Sequence, residues 1–100
     1  MEQITPLILK QWIDANKDFA LIDVRETWEH ELKNIGGQNI PMGNIVKNIS
    51  KIPKDKPVVL YCEKGIRSVI AIQRLEGNGF TGLYNLSGGI NAFIPSSLIL

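Results

Sequence analysis

Val58-Val59-Leu60-Tyr61-Cys62-Glu63-Lys64-Gly65-Ile66-Arg67-Ser68 is the stretch that decides the fold. Its first five residues are β-branched, aromatic or apolar throughout, as in a strand covered on both faces. From Ser68 to Glu76 the pattern predicts a helix. The first half of that helix, Val69-Ile70-Ala71-Ile72, is apolar all round and therefore expected to be buried, and Gly77-Asn78-Gly79 ends it in left-handed cap geometry. A buried strand that passes through a short polar loop into a helix is the repeating unit of an α/β fold, and such loops sit where open sheets bind ligands, beyond the carboxyl ends of the strands.

Working outward, the turn Lys54-Asp55-Lys56-Pro57 leads into this strand, and Ile45, Ile49 and Ile52 before it suit an amphipathic helix stopped at Pro53. Asn39-Ile40-Pro41 reads as a brief strand after the break at Gly36-Gly37. Phe19 to Val24 is a second nearly continuous apolar run. The polar segment from Arg25 to Lys33 that follows, with Trp28 and Leu32 four apart, suggests two helical turns. Thr5-Pro6 has the form of an N-cap and first helical position ahead of Leu9, Trp12 and Ile13. Downstream, Leu83-Tyr84-Asn85-Leu86 reads as a last strand, and Gly88-Gly89 opens a short helix through Phe93. Strands alternating with helices, without repeats or linkers, predict an α/β fold around a largely parallel sheet.

The chain as a whole bounds the function. One hundred residues suffice for one domain and are too few for two independent cores, so residues 1–100 are expected to form a single domain. Eleven basic and ten acidic residues give a formal charge of +1, too little for a field that would recruit nucleic acid or an anionic membrane. The start, Met1-Glu2-Gln3, has no signal-peptide character, and no run approaches the roughly 18 apolar residues that span a bilayer. A lone cysteine permits no internal disulfide and fits a reducing compartment, so the expected location is cytoplasmic.

The loop from Cys62 to Ser68 carries the chemistry. A tight loop entering a helix can turn several backbone N–H groups inward as an anion-binding nest, and Gly65 permits the backbone conformation this requires. The helix N-terminus adds partial positive charge, and Lys64 and Arg67 add full charges. A cysteine in such a cradle should have a depressed pKa and act as a thiolate without a general base. The same donors would stabilise a persulfide or a bound oxyanion. A strand-end cysteine taken alone is usually an inert core residue; Gly65 and the Arg67-Ser68 helix opening weigh against that reading.

Four motifs in order over Ile4 to Phe93 resemble the rhodanese family. They are Leu21-Ile22-Asp23-Val24-Arg25-Glu26 with Glu29, Ile35-Gly36-Gly37-Gln38-Asn39-Ile40-Pro41, Tyr61-Cys62 through Ser68, and Gly79-Phe80 through Gly88-Gly89-Ile90. The resemblance implies a rhodanese-like three-layer α/β sandwich with a five-stranded, largely parallel sheet flanked by helices. It implies a sulfurtransferase without cofactor or metal, in which Cys62 takes sulfane sulfur from a small donor such as thiosulfate and passes it to a thiophilic acceptor, a protein acceptor included. By position, Glu63, Lys64, Gly65, Ile66, Arg67 and Ser68 would form the substrate cradle. Three departures stand out. Lys33-Asn34-Ile35 replaces a frequent Gly-His-Ile and resembles domains fused to ubiquitin-activating-like sulfur-transfer enzymes. Phe93 replaces a usual tryptophan, and Glu63 puts a negative charge where some thiosulfate-using members are basic.

Outside the loop, Asp23 and Arg25 read as an ion pair at a strand end that either orients the loop or is purely structural. Arg67 divides evenly between a bound anion and a carboxylate below the loop, and Lys64 is expected to be an exposed rim charge. Trp12 and Trp28 are expected in the core, and His30 on the surface with no second histidine or cysteine to build a zinc site. The apolar end, Ile94-Pro95 and Leu98-Ile99-Leu100, is expected to pack back on the domain. Two other readings compete: a non-catalytic partner-binding module, and a phosphatase or arsenate reductase of related fold. The latter typically place five residues between cysteine and arginine, and here only Glu63, Lys64, Gly65 and Ile66 intervene.

Overall fold

The computed structural model describes residues 1–98, with side chains as far as residue 93. The side chains of Ile94, Pro95 and Leu98, and all of Ile99 and Leu100, lie outside the described residues, and with them the expectation about the apolar end. Five strands and four α-helices alternate as β1 (Glu2–Ile4), α1 (Pro6–Asp14), β2 (Ala20–Asp23), α2 (Thr27–Leu32), β3 (Gln38–Asn39), β4 (Val58–Tyr61), α3 (Ile66–Glu76), β5 (Leu83–Leu86) and α4 (Gly89–Leu98), with two 3₁₀ segments, Met42–Asn44 and Val46–Lys51, between β3 and β4. Every strand pairing is parallel, in the order β1-β5-β4-β2-β3. This is the α/β sandwich expected from the sequence.

Alternation along β4 builds the two cores. Val58, Leu60 and Cys62 face α3, where they pack with Ala71, Ile72 and Leu75; Val59 and Tyr61 face the other way onto Leu9, Ile90 and Phe93 of α1 and α4. All four residues of β4 are buried, as a central parallel strand requires. The chain leaves β4 toward β5 on one side and β2 toward β3 on the other, so the sheet order reverses between β2 and β4. The carboxyl ends of these two strands therefore open a crevice at the switch point, with Asp23 in register with Tyr61 and Cys62 one residue beyond.

Several local expectations are corrected. β1 was not legible, and the Ile45–Ile52 segment is two 3₁₀ pieces with a non-helical Asn48 (φ −110°, ψ 23°) rather than one amphipathic helix. α3 begins at Ile66, two residues before Ser68, and Ile70 on its buried half is exposed. Trp12 packs edge-on against Phe19 and Tyr84. Trp28, expected in the core, is 63% exposed. His30, expected on the surface, instead has Nδ1 2.8 Å from the buried Asp23 carboxylate.

Candidate active site

β4 delivers Cys62 to the floor of the crevice with only 1% of its surface exposed. The chain then turns through Glu63 and Lys64 to Gly65, which has φ +96° and acts as the N-cap of α3. That left-handed conformation is strained for any residue with a Cβ. It folds the loop back so that the Gly65 N–H donates to Cys62 Sγ at 3.1 Å and the Ser68 N–H at 3.4 Å. Ser68 Oγ also lies 3.4 Å from the sulfur. Burial pushes the Cys62 thiol up. Hydrogen bonds with Ser68 and with the N–H groups of Gly65 and Lys64 outweigh it, so the pKa falls below the ordinary thiol value.

The loop is anchored from behind by α4. Ile90 N–H donates to Cys62 O at 2.9 Å and Asn91 N–H to Glu63 O at 3.1 Å. Gly89, with φ +63°, lies so close that a Cβ there would come within 2.4 Å of the Glu63 carbonyl. In front, a shallow cleft of about 250 Å³ is lined by Cys62, Glu63, Lys64, Ile66 and Arg67. Glu63, Lys64 and Ile66 are exposed on its rim.

Of the residues singled out in the sequence, Cys62 to Ser68 form one continuous site, and Asp23 and Arg25 a separate one on the opposite sheet face. Arg67 does not point freely into the cleft: Nη1 and Nη2 donate to the two Glu29 carboxylate oxygens at 2.7 and 3.0 Å. Arg67 thereby holds the Glu29 carboxyl down to about 2. Asp23, in register with Tyr61 and so turned away from Cys62, accepts from Arg25 Nε, Nη2 and N–H and from His30 Nδ1. Burial would raise its carboxyl, but Arg25 and His30 keep it below the usual range. Arg25 Nη2 also donates to Lys33 O at 2.6 Å, so this cluster ties β2 to the end of α2.

The sequence reading missed Asn85. It is a buried amide in β5 whose Oδ1 accepts from the Ser68 hydroxyl, and whose Nδ2 donates to Gln3 Oε1 at 3.1 Å and Gly65 O at 3.4 Å. The available signal was an asparagine inside an otherwise apolar strand, which must find partners when buried. Among the described residues no group of three or more histidine, cysteine or acidic side chains could hold a metal ion.

Comparison with known proteins agrees with this geometry. The rhodanese-like domain profile matches residues 5–95. The chain is 40% identical over 93 residues to a probable adenylyltransferase/sulfurtransferase, MoeZ, of Mycobacterium tuberculosis, covering 90% of this chain and 24% of that protein. It is 37% identical over 91 residues to a sulfurtransferase of Allochromatium vinosum, covering 90% of this chain and 85% of the other. The chain thus spans about a quarter of the mycobacterial relative and nearly all of the Allochromatium one. A crystal structure of a rhodanese-like domain protein from Staphylococcus aureus superposes with a TM-score of 0.84 at 30% identity, covering 93% of this chain and 91% of that one. Fold, loop geometry and relatives agree, and the chain belongs to the rhodanese-like domain family.

Proposed function

We propose that the protein is a sulfurtransferase that carries sulfane sulfur as a persulfide on Cys62. The observation that carries this reading is the buried Cys62 sulfur facing the Gly65 and Ser68 N–H groups at the start of α3. Relatives named sulfurtransferases support the same reaction class.

In the first half-reaction the Cys62 thiolate attacks the outer sulfur of a donor such as thiosulfate. A new S–S bond forms, the donor's S–S bond breaks and sulfite leaves with the electron pair. The remaining persulfide anion is held by N–H dipoles already oriented in the loop, which need no reorganisation. In the second half-reaction a nucleophilic acceptor attacks the terminal sulfur and expels the Cys62 thiolate; with cyanide the product is thiocyanate. Gly65 and Ser68 contribute donors to the sulfur, Glu63, Lys64, Ile66 and Arg67 shape the cleft, and Asp23 and Arg25 fix the strand end beside it. A protein acceptor fits the relative named as a putative sulfur carrier protein, YrkF of Bacillus subtilis.

The phosphatase reading is disfavoured on two counts. Only four residues separate Cys62 from Arg67, and the Arg67 guanidinium, which would have to clasp an equatorial phosphoryl oxygen, is committed to Glu29. The test is intact mass after incubation with thiosulfate, followed by cyanide and a thiocyanate assay. The expected result is a gain of one sulfur atom, lost on cyanide treatment and absent in a folded Cys62→Ser variant. If thiosulfate, mercaptopyruvate and a protein persulfide all fail to load the chain, it is a binding module instead.

A further inference from the structure

Ser68 has one hydroxyl proton and two neighbours that compete for it. Asn85 Oδ1 can only accept, so at their short contact the hydroxyl donates to the amide. The sense of that amide is not free. Asn85 Nδ2 faces the backbone carbonyl of Gly65, which can only accept, and Gln3 Oε1, which also accepts from Ser87 Oγ at 3.0 Å. With its proton committed to Asn85, Ser68 Oγ presents lone pairs to Cys62, and the sulfur must be the donor across their 3.4 Å contact.

We propose that Asn85 is a positioning residue: anchored by Gly65 O and Gln3, it holds the Ser68 hydroxyl away from Cys62 and leaves the thiolate with backbone donors alone. This deepens, and rests on, the reading of Cys62 as the sulfur-carrying nucleophile. A thiolate with one donor fewer is more basic and, at equal ionisation, more nucleophilic toward a donor sulfur. Once sulfur has been taken up, the negative charge moves to the outer atom, and Cys62 Sγ no longer needs a donor. The arrangement thus favours the loaded state over the empty thiolate.

The other charged groups near the sulfur are not part of the device. Glu63 and Lys64 line the cleft from the loop, and Arg67 of α3 is paired with Glu29 of α2. Asp23 with Arg25 and His30 lies on the other sheet face, Tyr84 of β5 packs against Trp12 on that same face, and the described part of α4 carries no titratable side chain.

The test is the pH dependence of Cys62 alkylation by iodoacetamide, followed by intact mass; it requires no sulfur transfer, so it can fail while sulfur loading stands, or succeed where loading fails. In Asn85→Ala the freed hydroxyl turns to the sulfur, and the midpoint should fall by about half to one pH unit, roughly three- to tenfold more thiolate below the midpoint. Ser68→Ala should also lower the midpoint, because the thiol loses its acceptor, and adding Asn85→Ala to it should change nothing further. Asn85→Asp keeps an acceptor oxygen and adds negative charge, so its midpoint should stay at or above the wild-type value, which a merely structural role does not require. Should Asn85→Ala fail to fold, Gln3→Ala, at an exposed position, loosens the same amide and should shift the midpoint in the same direction by a smaller amount. A midpoint that rises in Ser68→Ala, or that stays unmoved in the folded Asn85→Ala or Gln3→Ala protein, overturns the proposal.

Discussion

Replacing Glu29 with glutamine removes one charge from a paired site while preserving its shape. The Glu29 carboxyl is held at about 2 against an ordinary 4.5, chiefly by the two-pronged contact with Arg67. A displacement of this size corresponds to about 3 kcal/mol of linkage between ionisation and folding. The Arg67 side chain is 33% exposed and solvent screens its half of the pair, so the realised contribution is about 1–2 kcal/mol. In a chain of this length that predicts a Tm lower by roughly 4–12 °C in Glu29→Gln at pH 7. The sign with pH follows from a folded-state value below the unfolded one. The contribution is complete above the ordinary value of 4.5 and is lost as pH falls toward about 2. Thermal melts by circular dichroism should show the gap between wild type and variant constant from pH 8 to 6 and shrunk to about half or less at pH 3. A gap equally wide at pH 3 and pH 7, or none at either, would refute the reasoning, because the pair would then hold α2 by shape rather than charge.

Further outcomes follow from packing and from the cradle. Gly89→Ala drives a Cβ into the Glu63 carbonyl at a φ of +63° and should cost about 2–5 kcal/mol in urea denaturation, whereas Gly43→Ala, with open space and an ordinary backbone, should be nearly neutral. Leu60→Ala, at a fully buried position in the central strand, should cost about 2–5 kcal/mol, and Trp28→Ala, at an exposed one, less than about 0.5 kcal/mol by the same measurement. Because the folded loop lowers the Cys62 pKa, alkylation should reach half its maximal rate at a lower pH in native protein than in protein unfolded in urea. Identical midpoints would mean that the N–H groups do not act on the sulfur.

The elements legible in the sequence are those whose burial is written as periodicity. β4 is apolar at every position because helices cover both its faces, and Thr5-Pro6 caps α1 through Thr5 Oγ1, which accepts from Ile8 N–H at 3.2 Å. β1 escaped because only Ile4 of its three residues is buried, and its extended form depends on pairing with β5 some 80 residues away, as the register Glu2↔Tyr84 shows. The spacing of Ile45, Ile49 and Ile52 suggests a helix, yet Asn48 Nδ2 takes the Asn44 carbonyl and diverts the backbone into Asn48 N–H to Ile45 O, a 3₁₀ bond. Trp28 and Leu32 have helical spacing but face solvent, since α2 is fastened by Glu29 to Arg67 and His30 to Asp23 rather than by an apolar stripe. Hydrophobic patterning cannot register a helix held by charge. For the site, the loop from Cys62 to Ser68 was readable because a short segment carries it whole. Asn85 and Glu29 enter from other elements, through contacts that no local spacing encodes.

The hold of α4 on the loop has a consequence for anyone who shortens this chain. A trans peptide unit points its carbonyl and its N–H in opposite directions. With Cys62 O and Glu63 O drawn back onto the first turn of α4, the N–H groups of Glu63 and Lys64 are turned away from that helix. The polarity of the cradle is therefore imposed from the rear, by a helix that lends it no side chain. A fragment cut before Gly88 would keep every residue from Cys62 to Ser68, the Gly65 and Ser68 donors included, and still lose the bonds that turn the Glu63 and Lys64 amides outward, so a dispensable-looking tail fixes the backbone on which the loop begins.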